Sequence, residues 1–318
     1  NLIQELLKDK VLRQVPLTPD HIAYLKICES CFNHCAFCVI PQIKGAFASR
    51  TRESLCQEIA FIDERGVKEL NIIGQDTTAY GMDLYGKKVL AEMLRDVSRQ
   101  VQGIHWIRLL YTFPAHVTDE LLDVVAQESR ICKYIDVPFQ HISDSILTRM
   151  NRNFSSDQSR ALVEKIRKRV PGVRIRSAFI VGLPGEGEQE FEELLDFLRW
   201  ARFDRAGVFS YSPEEGTPAA RMDGQVSEKV KQQRYDQAMA LQQKISLELN
   251  ERMIGNELEV LIEGFDTDQK LYFGRSEFDA PEVDGLVYVR CGRVLNPGTF
   301  ERVRITDAYE YDLIGEVQ

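Results

Sequence analysis

Cysteines crowd one short stretch of this chain, and their spacing is the clearest sign of chemistry in the sequence. Cys31, Cys35 and Cys38 are separated by three and then two residues, and Cys28 precedes them, so four of the seven cysteines fall within eleven residues. Such a loop can present three thiolates to three irons of a 4Fe-4S cluster, which leaves the fourth iron without a protein ligand. An open metal position is a site for chemistry, because another molecule can bind there.

Two other metal sites are compatible with the same cysteines. The pairs Cys28/Cys31 and Cys35/Cys38 each have the spacing of a zinc knuckle, but only three residues separate the two pairs. Structural zinc sites normally place about a dozen or more residues between their knuckles. All four cysteines could instead close a cluster with four thiolates. The cysteines alone therefore favour an open cluster but leave both alternatives standing.

The composition indicates a globular protein of about two domains. The chain has 318 residues, of which 44% are hydrophobic, and this is enough for a core. No apolar run approaches the roughly 18 residues of a membrane span, and no signal-peptide core is evident. We expect no membrane contact, a cytoplasmic location and reduced cysteines. The chain starts with Asn1 rather than methionine, so we expect a fragment or a trimmed chain.

Strand and helix patterns alternate through the first two thirds of the chain, which predicts an α/β fold with parallel strands and right-handed crossovers. A loop kept irregular by Pro41 and Gly45 is expected after the cysteines. Strands are predicted at 21–27, 70–73, 106–111, 134–137, 173–181 and 206–211. Helices are predicted at 52–65, 89–101, 118–127, 144–150, 156–170 and 188–202.

Polar or glycine-rich clusters follow five of these predicted strands. In parallel sheets the functional residues gather at the carboxyl ends of the strands. After the cysteines, the clusters in chain order are Gln75 with Asp76, Thr112, Gln140 with His141, and residues 182–186. A structural zinc loop does not require polar residues at the ends of the other strands. Their predicted gathering at one edge of the sheet therefore favours the open cluster.

The last part of the chain has a different pattern. A long amphipathic helix over 227–253 is followed by short segments with a period of two, at 258–262, 271–275, 286–289, 301–305 and 310–314. They predict a small, all-β, five-stranded antiparallel barrel. Residues 252–318 carry 14 acidic and 7 basic side chains, a net charge of −7. This charge should repel nucleic acid and attract a basic partner, although a solvated acidic surface without a partner is the alternative.

Several segments resemble those of the methylthiotransferases, radical S-adenosylmethionine (SAM) enzymes with a C-terminal TRAM domain. They are the cysteine triad, residues 180–186 (IVGLPGE), 211–218 (YSPEEGTP) and 280–285 (APEVDG). Residues 136–141 (DVPFQH) and 307–312 (DAYEYD) resemble the branch that modifies a ribosomal protein. The resemblance implies a partial (β/α)6 radical SAM barrel followed by TRAM. We expect an N-terminal extension over residues 1–16, the radical SAM domain with its linker helix over 17–250, and TRAM over 251–318.

The same resemblance implies a reaction. A methylthio group would be added to the beta carbon of an aspartate in small-subunit ribosomal protein S-twelve, after a reduced 4Fe-4S cluster and an electron donor have cleaved SAM. The alternatives are the branch that modifies an adenosine of tRNA, and a non-catalytic, metal-binding module associated with the ribosome. The family also has an N-terminal domain with a second cluster, which is absent from this sequence, so this chain is expected to cleave SAM but not to insert sulfur alone.

The resemblance also suggests roles for individual residues. Cys31, Cys35 and Cys38 would hold the cluster, and Gln75 would hold the SAM amino group. Gln140 and Arg176 would contact the SAM ribose and carboxylate, and Phe37 would pack by the adenine. Residues expected to dock the basic ribosomal protein are Asp279, Glu282 and Asp284.

Each of these side chains has a plainer interpretation. Gln75 and Asp76 could cap a turn, and Arg176 could be an ion-pair partner inside the sheet. Gln140 and His141 could form a turn, with His141 a satisfied surface histidine. Where the family usually has serine, this chain has Cys28, which we interpret as a buried cysteine without a role in the cluster.

Overall fold

The computed structural model describes residues 18–318, so the expected extension over residues 1–16 lies outside the described residues. In this part of the chain, two parallel three-stranded sheets have the orders β1-β4-β5 and β6-β7-β8. Their strands are β1 (Ile22–Lys26), β4 (Glu69–Ile73), β5 (Trp106–Leu109), β6 (Tyr134–Asp136), β7 (Arg174–Val181) and β8 (Arg205–Ser210). The sheets meet where Ile107 of β5 forms a parallel bridge with Ile131. Two short strands, β2 (Cys28–Glu29) and β3 (Ala48–Ser49), pair as an antiparallel ribbon at the base of the cysteine loop.

Helices connect these strands, and the long ones confirm the sequence prediction to within one or two residues at each end. They are α2 (Arg52–Glu64), α4 (Leu90–Gln100), α5 (Asp119–Gln127), α6 (Asp144–Arg149), α7 (Ser156–Arg169), α8 (Glu188–Ala201) and α9 (Glu228–Glu251). The hydroxyls of Thr51, Thr118, Ser155 and Ser227 each accept a hydrogen bond from the third residue of the following helix. These caps fix where the helices begin, because the first backbone N–H groups of a helix have no partner within it. Among residues 18–318, no helix combines the length and the apolarity that crossing a membrane requires.

Two short helices were not predicted. The expectation that Pro41 and Gly45 keep their loop irregular is wrong, because this segment forms α1 (Ile40–Lys44). Proline is tolerated in the first turn of a helix, where its missing N–H would have had no partner. Gly45 ends the helix at φ 77° and donates its N–H to the Pro41 carbonyl. The other short helix is α3 (Met82–Tyr85).

Alternation along β7 separates the two faces of its sheet. Ile175, Ser177, Phe179 and Val181 are buried, whereas the residues between them are only half-buried. Phe179 belongs to the main apolar core, together with Phe139, Phe197 and Phe203. The opposite face carries Arg176, and β5 and β6 contribute the buried charged side chains of Arg108 and Asp136. Helices therefore cover an apolar face, while polar groups occupy the other one.

The C-terminal segment forms a closed barrel in the order β10-β11-β13-β12-β9. Its strands are β9 (Glu257–Asp266), β10 (Leu271–Ser276), β11 (Val287–Arg290), β12 (Phe300–Ala308) and β13 (Leu313–Val317). The prediction of a wholly antiparallel barrel is wrong, because β11 and β13 are parallel. Strand directions cannot alternate all the way around a closed ring with an odd number of strands, so at least one pair must be parallel.

The fifth barrel strand begins three residues later than predicted, at Leu313. Residues 309–312 form a turn instead, in which the Tyr309 N–H donates to the Asp312 carbonyl at 2.8 Å. The Asp312 carboxylate accepts the N–H of Leu286 at 2.8 Å. These hydrogen bonds tie the turn to the start of β11.

Buried ion pairs join the barrel to the α/β part. Glu69 of β4 accepts hydrogen bonds from Arg108 of β5 at 2.7 Å and from Arg275 of β10 at 2.5 Å. The three side chains are 0%, 0% and 1% exposed, respectively. Trp106 packs edge-on against Phe300 of β12, with ring centroids 4.9 Å apart. The barrel is therefore packed against the polar end of the sheets and is not joined to them by the linker helix alone.

Candidate active site

The cysteine loop begins after β1 and is held by hydrogen bonds to its sulfurs. Asn33 donates its backbone N–H to Cys31 Sγ at 3.4 Å and its amide to the same sulfur at 3.5 Å. The Ala36 N–H donates to the carbonyl of Met150 at 2.8 Å, which fixes the middle of the loop to the end of α6. Cys31, Cys35 and Cys38 are all partly exposed. Three thiols therefore remain accessible in a loop whose backbone is restrained.

Asp76 anchors this loop from the end of β4. Its carboxylate caps the turn Thr77–Ala79 by accepting the Thr78 N–H at 3.0 Å. It also accepts the Asn33 amide at 2.7 Å and lies 3.1 Å from Nδ1 of His116. Burial opposes ionisation of Asp76, but the hydrogen bonds from His116, Thr78 and Asn33 outweigh it and hold the pKa of Asp76 below its usual value. The interpretation of Asp76 as a turn cap is confirmed.

Gln75, directly before this cap, has a different environment. Its Oε1 is buried and has no hydrogen-bond partner among the described residues. A buried amide oxygen without a donor costs free energy unless another group satisfies it. Gln75 therefore presents an acceptor that suits a ligand with an N–H group.

Arg152 contacts the cysteine loop but was not among the predicted site residues. Its side chain follows α6, yet the residue is only 5% exposed. One guanidinium nitrogen lies 3.8 Å from Cys35 Sγ, and another donates to the Pro138 carbonyl at 2.6 Å. The guanidinium also stacks over the Phe113 ring, 4.5 Å from its centroid. An arginine just beyond a helix is usually exposed, so no local pattern could have found it.

The thiols of the loop lie in mixed surroundings. Burial raises the pKa of Cys31 and of Cys35, while the hydrogen bonds from Asn33 and the charge of Arg152 oppose this rise. Among residues 18–318, no three His, Cys, Asp or Glu side chains lie close enough together to bind a single metal ion.

Cys28 differs from the other three thiols. It is 1% exposed, and its Sγ donates to the Asp76 carbonyl at 3.5 Å. Burial raises the pKa of Cys28 to about 12. Its sulfur also occupies the space beside Gly74, where a Cβ would lie 2.5 Å away. The structure therefore places Cys28 as a buried, protonated thiol.

Gln140 and His141 follow β6, and the backbone of Gln140 is held by β7 of the second sheet. Gln140 has the left-handed value φ 72°, and its backbone bonds to Ala178 and Ile180 of β7, each at 2.8 Å. A left-handed glutamine is unusual and persists only where its surroundings impose it. His141 is 0% exposed, so its interpretation as a surface histidine is wrong. Its Nδ1 accepts the Ser143 N–H at 3.1 Å.

The glycine-rich segment after β7 is organised by a carboxylate. Glu186 accepts the Gly182 N–H at 2.8 Å and a guanidinium N–H of Arg234 from α9 at 2.8 Å. Gly182 has φ 76°, and a Cβ there would overlap the Lys231 side chain. The glycine is thus required by the close approach of α9. His141 Nε2 also faces this carboxylate, 3.5 Å from Glu186 Oε2.

Arg176 and Phe37 are the remaining predicted contacts. Arg176 Nη1 donates to Asp136 at 3.0 Å, and its Nε lies 3.6 Å from Asp284 of the barrel. Its interpretation as an ion-pair partner inside the sheet is confirmed. Phe37 is partly buried on an apolar cluster that includes Met150 and Leu183. Arg176 is thus held between β6 and the barrel, whereas Phe37 lies on the cysteine loop itself.

Two of the three residues expected to dock a basic protein are in the wrong place. Asp279 is 2% exposed and pairs with Arg205 of β8 at 2.8 Å. The side chain of Asp284 is also 2% exposed and accepts the Tyr134 hydroxyl at 2.6 Å. Both carboxylates bind side chains of the α/β part, because the barrel covers the polar face of the sheets. Only Glu282 is exposed.

The residues present fit a 4Fe-4S cluster and SAM. The cysteine loop offers three accessible thiols, and the other predicted contacts come from the ends of β4 and β6 and from β7. Donors from Asn33 and Arg152 point at the sulfurs of Cys31 and Cys35, as expected around thiolates that carry charge. The unpartnered Oε1 of Gln75 is a match for an amino group.

Comparisons with known proteins agree with this arrangement. Residues 25–198 match the Radical SAM superfamily, and residues 254–317 match the TRAM domain. The chain resembles the fold of coproporphyrinogen III oxidase (HemN) from Escherichia coli, a radical SAM enzyme, with a TM-score of 0.53 and 19% identity over 77% of this chain and 56% of that one. It also resembles the radical SAM methyltransferase TsrM from Kitasatospora setae, with a TM-score of 0.50 and 16% identity over 74% of this chain and 40% of that one. At such low identity, both likenesses concern the fold alone.

Curated relatives are much more similar. The ribosomal protein uS12 methylthiotransferase RimO of Desulforamulus reducens is 50% identical over 94% of this chain and 68% of its own length. The RimO proteins of Caldanaerobacter subterraneus subsp. tengcongensis and Pelotomaculum thermopropionicum are 48% and 50% identical over 98% of this chain, and over 71% and 70% of their own lengths. Since the similarity extends from the cysteine loop through the C-terminal barrel, the chain belongs to the ribosomal protein uS12 methylthiotransferase (RimO) family of radical SAM enzymes with a TRAM domain.

Proposed function

We propose that this chain, with its radical SAM and TRAM domains, adds a methylthio group to the beta carbon of an aspartate in ribosomal protein uS12. The main support for this proposal is the similarity to RimO proteins over nearly the whole chain. It coincides with three accessible thiols in one restrained loop. The relatives name the substrate protein, and the position on the aspartate follows from the resemblance of the motifs.

In this proposal Cys31, Cys35 and Cys38 hold a 4Fe-4S cluster, and Gln75 accepts the amino group of SAM through Oε1. When bound, the cluster and SAM together supply the one-electron chemistry that removes hydrogen from an unactivated carbon. The chain supplies the geometry. The Asn33 amide joins the Cys31 sulfur to the carboxylate of Asp76, so the cysteine loop is tied to the residue that directly follows Gln75.

Gln140, Arg176 and Phe37 complete the proposed SAM site. Arg176 has five N–H donors, of which its ion pairs with Asp136 and Asp284 occupy Nη1 and Nε. Nη2 is left for a carboxylate or a ribose hydroxyl. The left-handed backbone of Gln140 is held in place by its hydrogen bonds to β7, and such strain is common where a ligand is held. Phe37 offers an apolar surface next to the last cysteine, which suits adenine.

For the substrate, we propose that exposed carboxylates of the barrel attract a basic protein. Glu282 is exposed and lies on the loop between Ala280 and Asp284, and these two residues contact the α/β part at the domain junction. An acidic surface steers a basic partner mainly through the association rate. Glu282→Lys is therefore expected to slow uS12 binding, whereas Asp268→Lys, which makes the same charge change on an exposed turn of the barrel, should have less effect. Equal effects would refute a specific role for Glu282.

The finer description of the architecture is also part of the proposal. We regard residues 17–250 as one domain whose two parallel sheets together make a partial (β/α)6 barrel, and residues 251–318 as the TRAM domain. The bridge between Ile107 and Ile131 supports treating the sheets as one curved layer. A cytoplasmic location is proposed because the substrate is a ribosomal protein.

An anaerobic SAM-cleavage assay tests the proposal. The chain is reconstituted with iron and sulfide, then given SAM and a strong reductant, and 5′-deoxyadenosine is measured. Wild type should release it, and Cys35→Ser should not. Failure of the iron-loaded wild type to release deoxyadenosine would refute a radical SAM function and favour a non-catalytic module. When uS12 is offered together with SAM, a methylthio mass gain on uS12 is expected, and a gain on tRNA instead would assign the other branch.

A further inference from the structure

Arg152 lacks the partner that every comparable arginine has. Among residues 18–318, four arginines are buried: Arg108, Arg152, Arg234 and Arg275. Arg108 and Arg275 pair with Glu69, and Arg234 pairs with Glu186 at 2.8 Å. In the same described part of the chain, Arg152 forms no ion pair: no Asp or Glu oxygen lies within 4.0 Å of its guanidinium nitrogens.

A guanidinium keeps its charge in proteins, so its burial without an anion is costly. The contacts of Arg152 are a carbonyl, an aromatic ring and a thiol: Pro138, Phe113 and Cys35. The carbonyl and the ring lower the cost but do not neutralise the charge. Of these three, only Cys35 can carry negative charge, and it does so when it is a thiolate bound to iron. The counter-ion of Arg152 is thus expected at the cysteine loop.

The guanidinium is also rigidly placed. Pro138 follows β6 and Phe113 follows β5, so segments that follow two strands hold Arg152, whose own backbone lies just after α6. A fixed charge 3.8 Å from a ligand sulfur acts most strongly on the state with more negative charge. For an iron-sulfur cluster, this is the reduced state, and hydrogen bonds and charge near the sulfurs are among the factors that set the potential.

We propose that Arg152 is the electrostatic partner of the cluster on the Cys35 side and raises its reduction potential, so that the cluster can be reduced before SAM binds. This inference rests on the proposed cluster function and extends it to a residue outside the cysteine motif. Arg152 acts through Cys35 and is therefore a tuning residue for the cluster. It is not assigned to the SAM carboxylate.

The test is an anaerobic redox titration of the reconstituted chain without SAM, followed by electron paramagnetic resonance of the reduced cluster. Arg152→Gln should bind as much iron as wild type, but its ratio of reduced to oxidised cluster at a given potential should fall at least tenfold. For one electron, a tenfold change corresponds to about 59 mV. Arg160→Gln is the matched control, because Arg160 also stacks on aromatic rings, those of Phe197 and Trp200, at 5.4 and 5.0 Å. Its midpoint should equal that of wild type.

A midpoint for Arg152→Gln equal to that of the control would overturn the inference. So would an unchanged midpoint accompanied by weaker SAM binding, since this would assign Arg152 to SAM. If Arg152→Gln takes up no iron, Arg152→Met is tested instead, because methionine is also long and unbranched but carries no charge. A midpoint below that of wild type is expected, and one equal to wild type refutes the idea. Absence of a cluster from wild type would instead refute the proposed function.

Discussion

Glu69→Gln should destabilise this protein more than any surface charge change, because Glu69 is the shared anion of two buried cations. Arg108 and Arg275 approach its two oxygens at 2.7 and 2.5 Å, and all three side chains are at most 1% exposed. Arg275 has a second carboxylate, Glu263, at 2.7 Å. Arg108 otherwise donates to the backbone carbonyls of residues 276 and 277. The substitution therefore leaves one guanidinium poorly compensated and the other buried and unpaired.

Breaking a buried pair by removing one partner typically costs about 3–5 kcal/mol, and we expect this loss in the free energy of unfolding. Glu92→Gln is the matched control, since Glu92 and its partner Arg52 are 49% and 36% exposed. An exposed pair of this kind contributes about 0–1 kcal/mol. The difference between the two variants should therefore be several-fold.

Tryptophan fluorescence during urea unfolding measures this loss. The chain has two tryptophans, Trp106 at the domain junction and Trp200 at 39% exposure. In a Trp200→Phe background, only Trp106 reports, and its contact with Phe300 makes it sensitive to separation of the barrel. Equal shifts of the urea midpoint in Glu69→Gln and Glu92→Gln would refute the claim that the junction depends on this anion.

The remaining predictions concern pH, the fourth cysteine and a glycine. Burial favours the neutral form of Glu69, but Arg108 and Arg275 outweigh this effect and hold the pKa of Glu69 below the ordinary 4.5. The stabilisation from the Glu69 carboxylate is therefore complete above pH 4.5 and is lost as pH falls through the lowered pKa. The urea midpoints of wild type and Glu69→Gln should converge in acid, and a constant gap between them would contradict this. Cys28→Ser should retain the iron of the reconstituted chain, since burial raises the pKa of Cys28 to about 12, whereas Cys35→Ser should lose it; iron loss in both would make Cys28 a ligand. Gly182→Ala should lower the free energy of unfolding, measured by thermal unfolding, by about 1–3 kcal/mol more than Gly66→Ala. Both glycines have positive φ, but only at Gly182 would a Cβ overlap another side chain. Equal losses would show that α9 moves to make room for the added methyl group.

Local patterns in the sequence predicted most of the secondary structure. The helices predicted over 118–127 and 156–170 begin at Asp119 and Ser156 in the structure, because a helix start depends on capping residues within one turn. The period of two predicted five strands in the barrel, since side chains alternate regardless of the neighbouring strand. The alternation of strands and helices also predicted which strand ends would carry polar residues. These features depend on sequence neighbours alone.

Only the tertiary structure decided which charges are buried and what they contact. Asp279 and Asp284 read as surface acids, but the barrel places both against the sheets, where Arg205 and Tyr134 bind them. Arg152 looked like any arginine after a helix until its contact with Cys35 was seen.

The reason is physical. A periodic pattern states which face of an element is apolar, but the partner of a charge is set by how distant elements pack. Glu69 and Arg275 are separated by 206 positions along the chain and meet at 2.5 Å. No local rule relates two such residues, because the low dielectric that makes their pairing necessary exists only after the barrel has closed over the sheets.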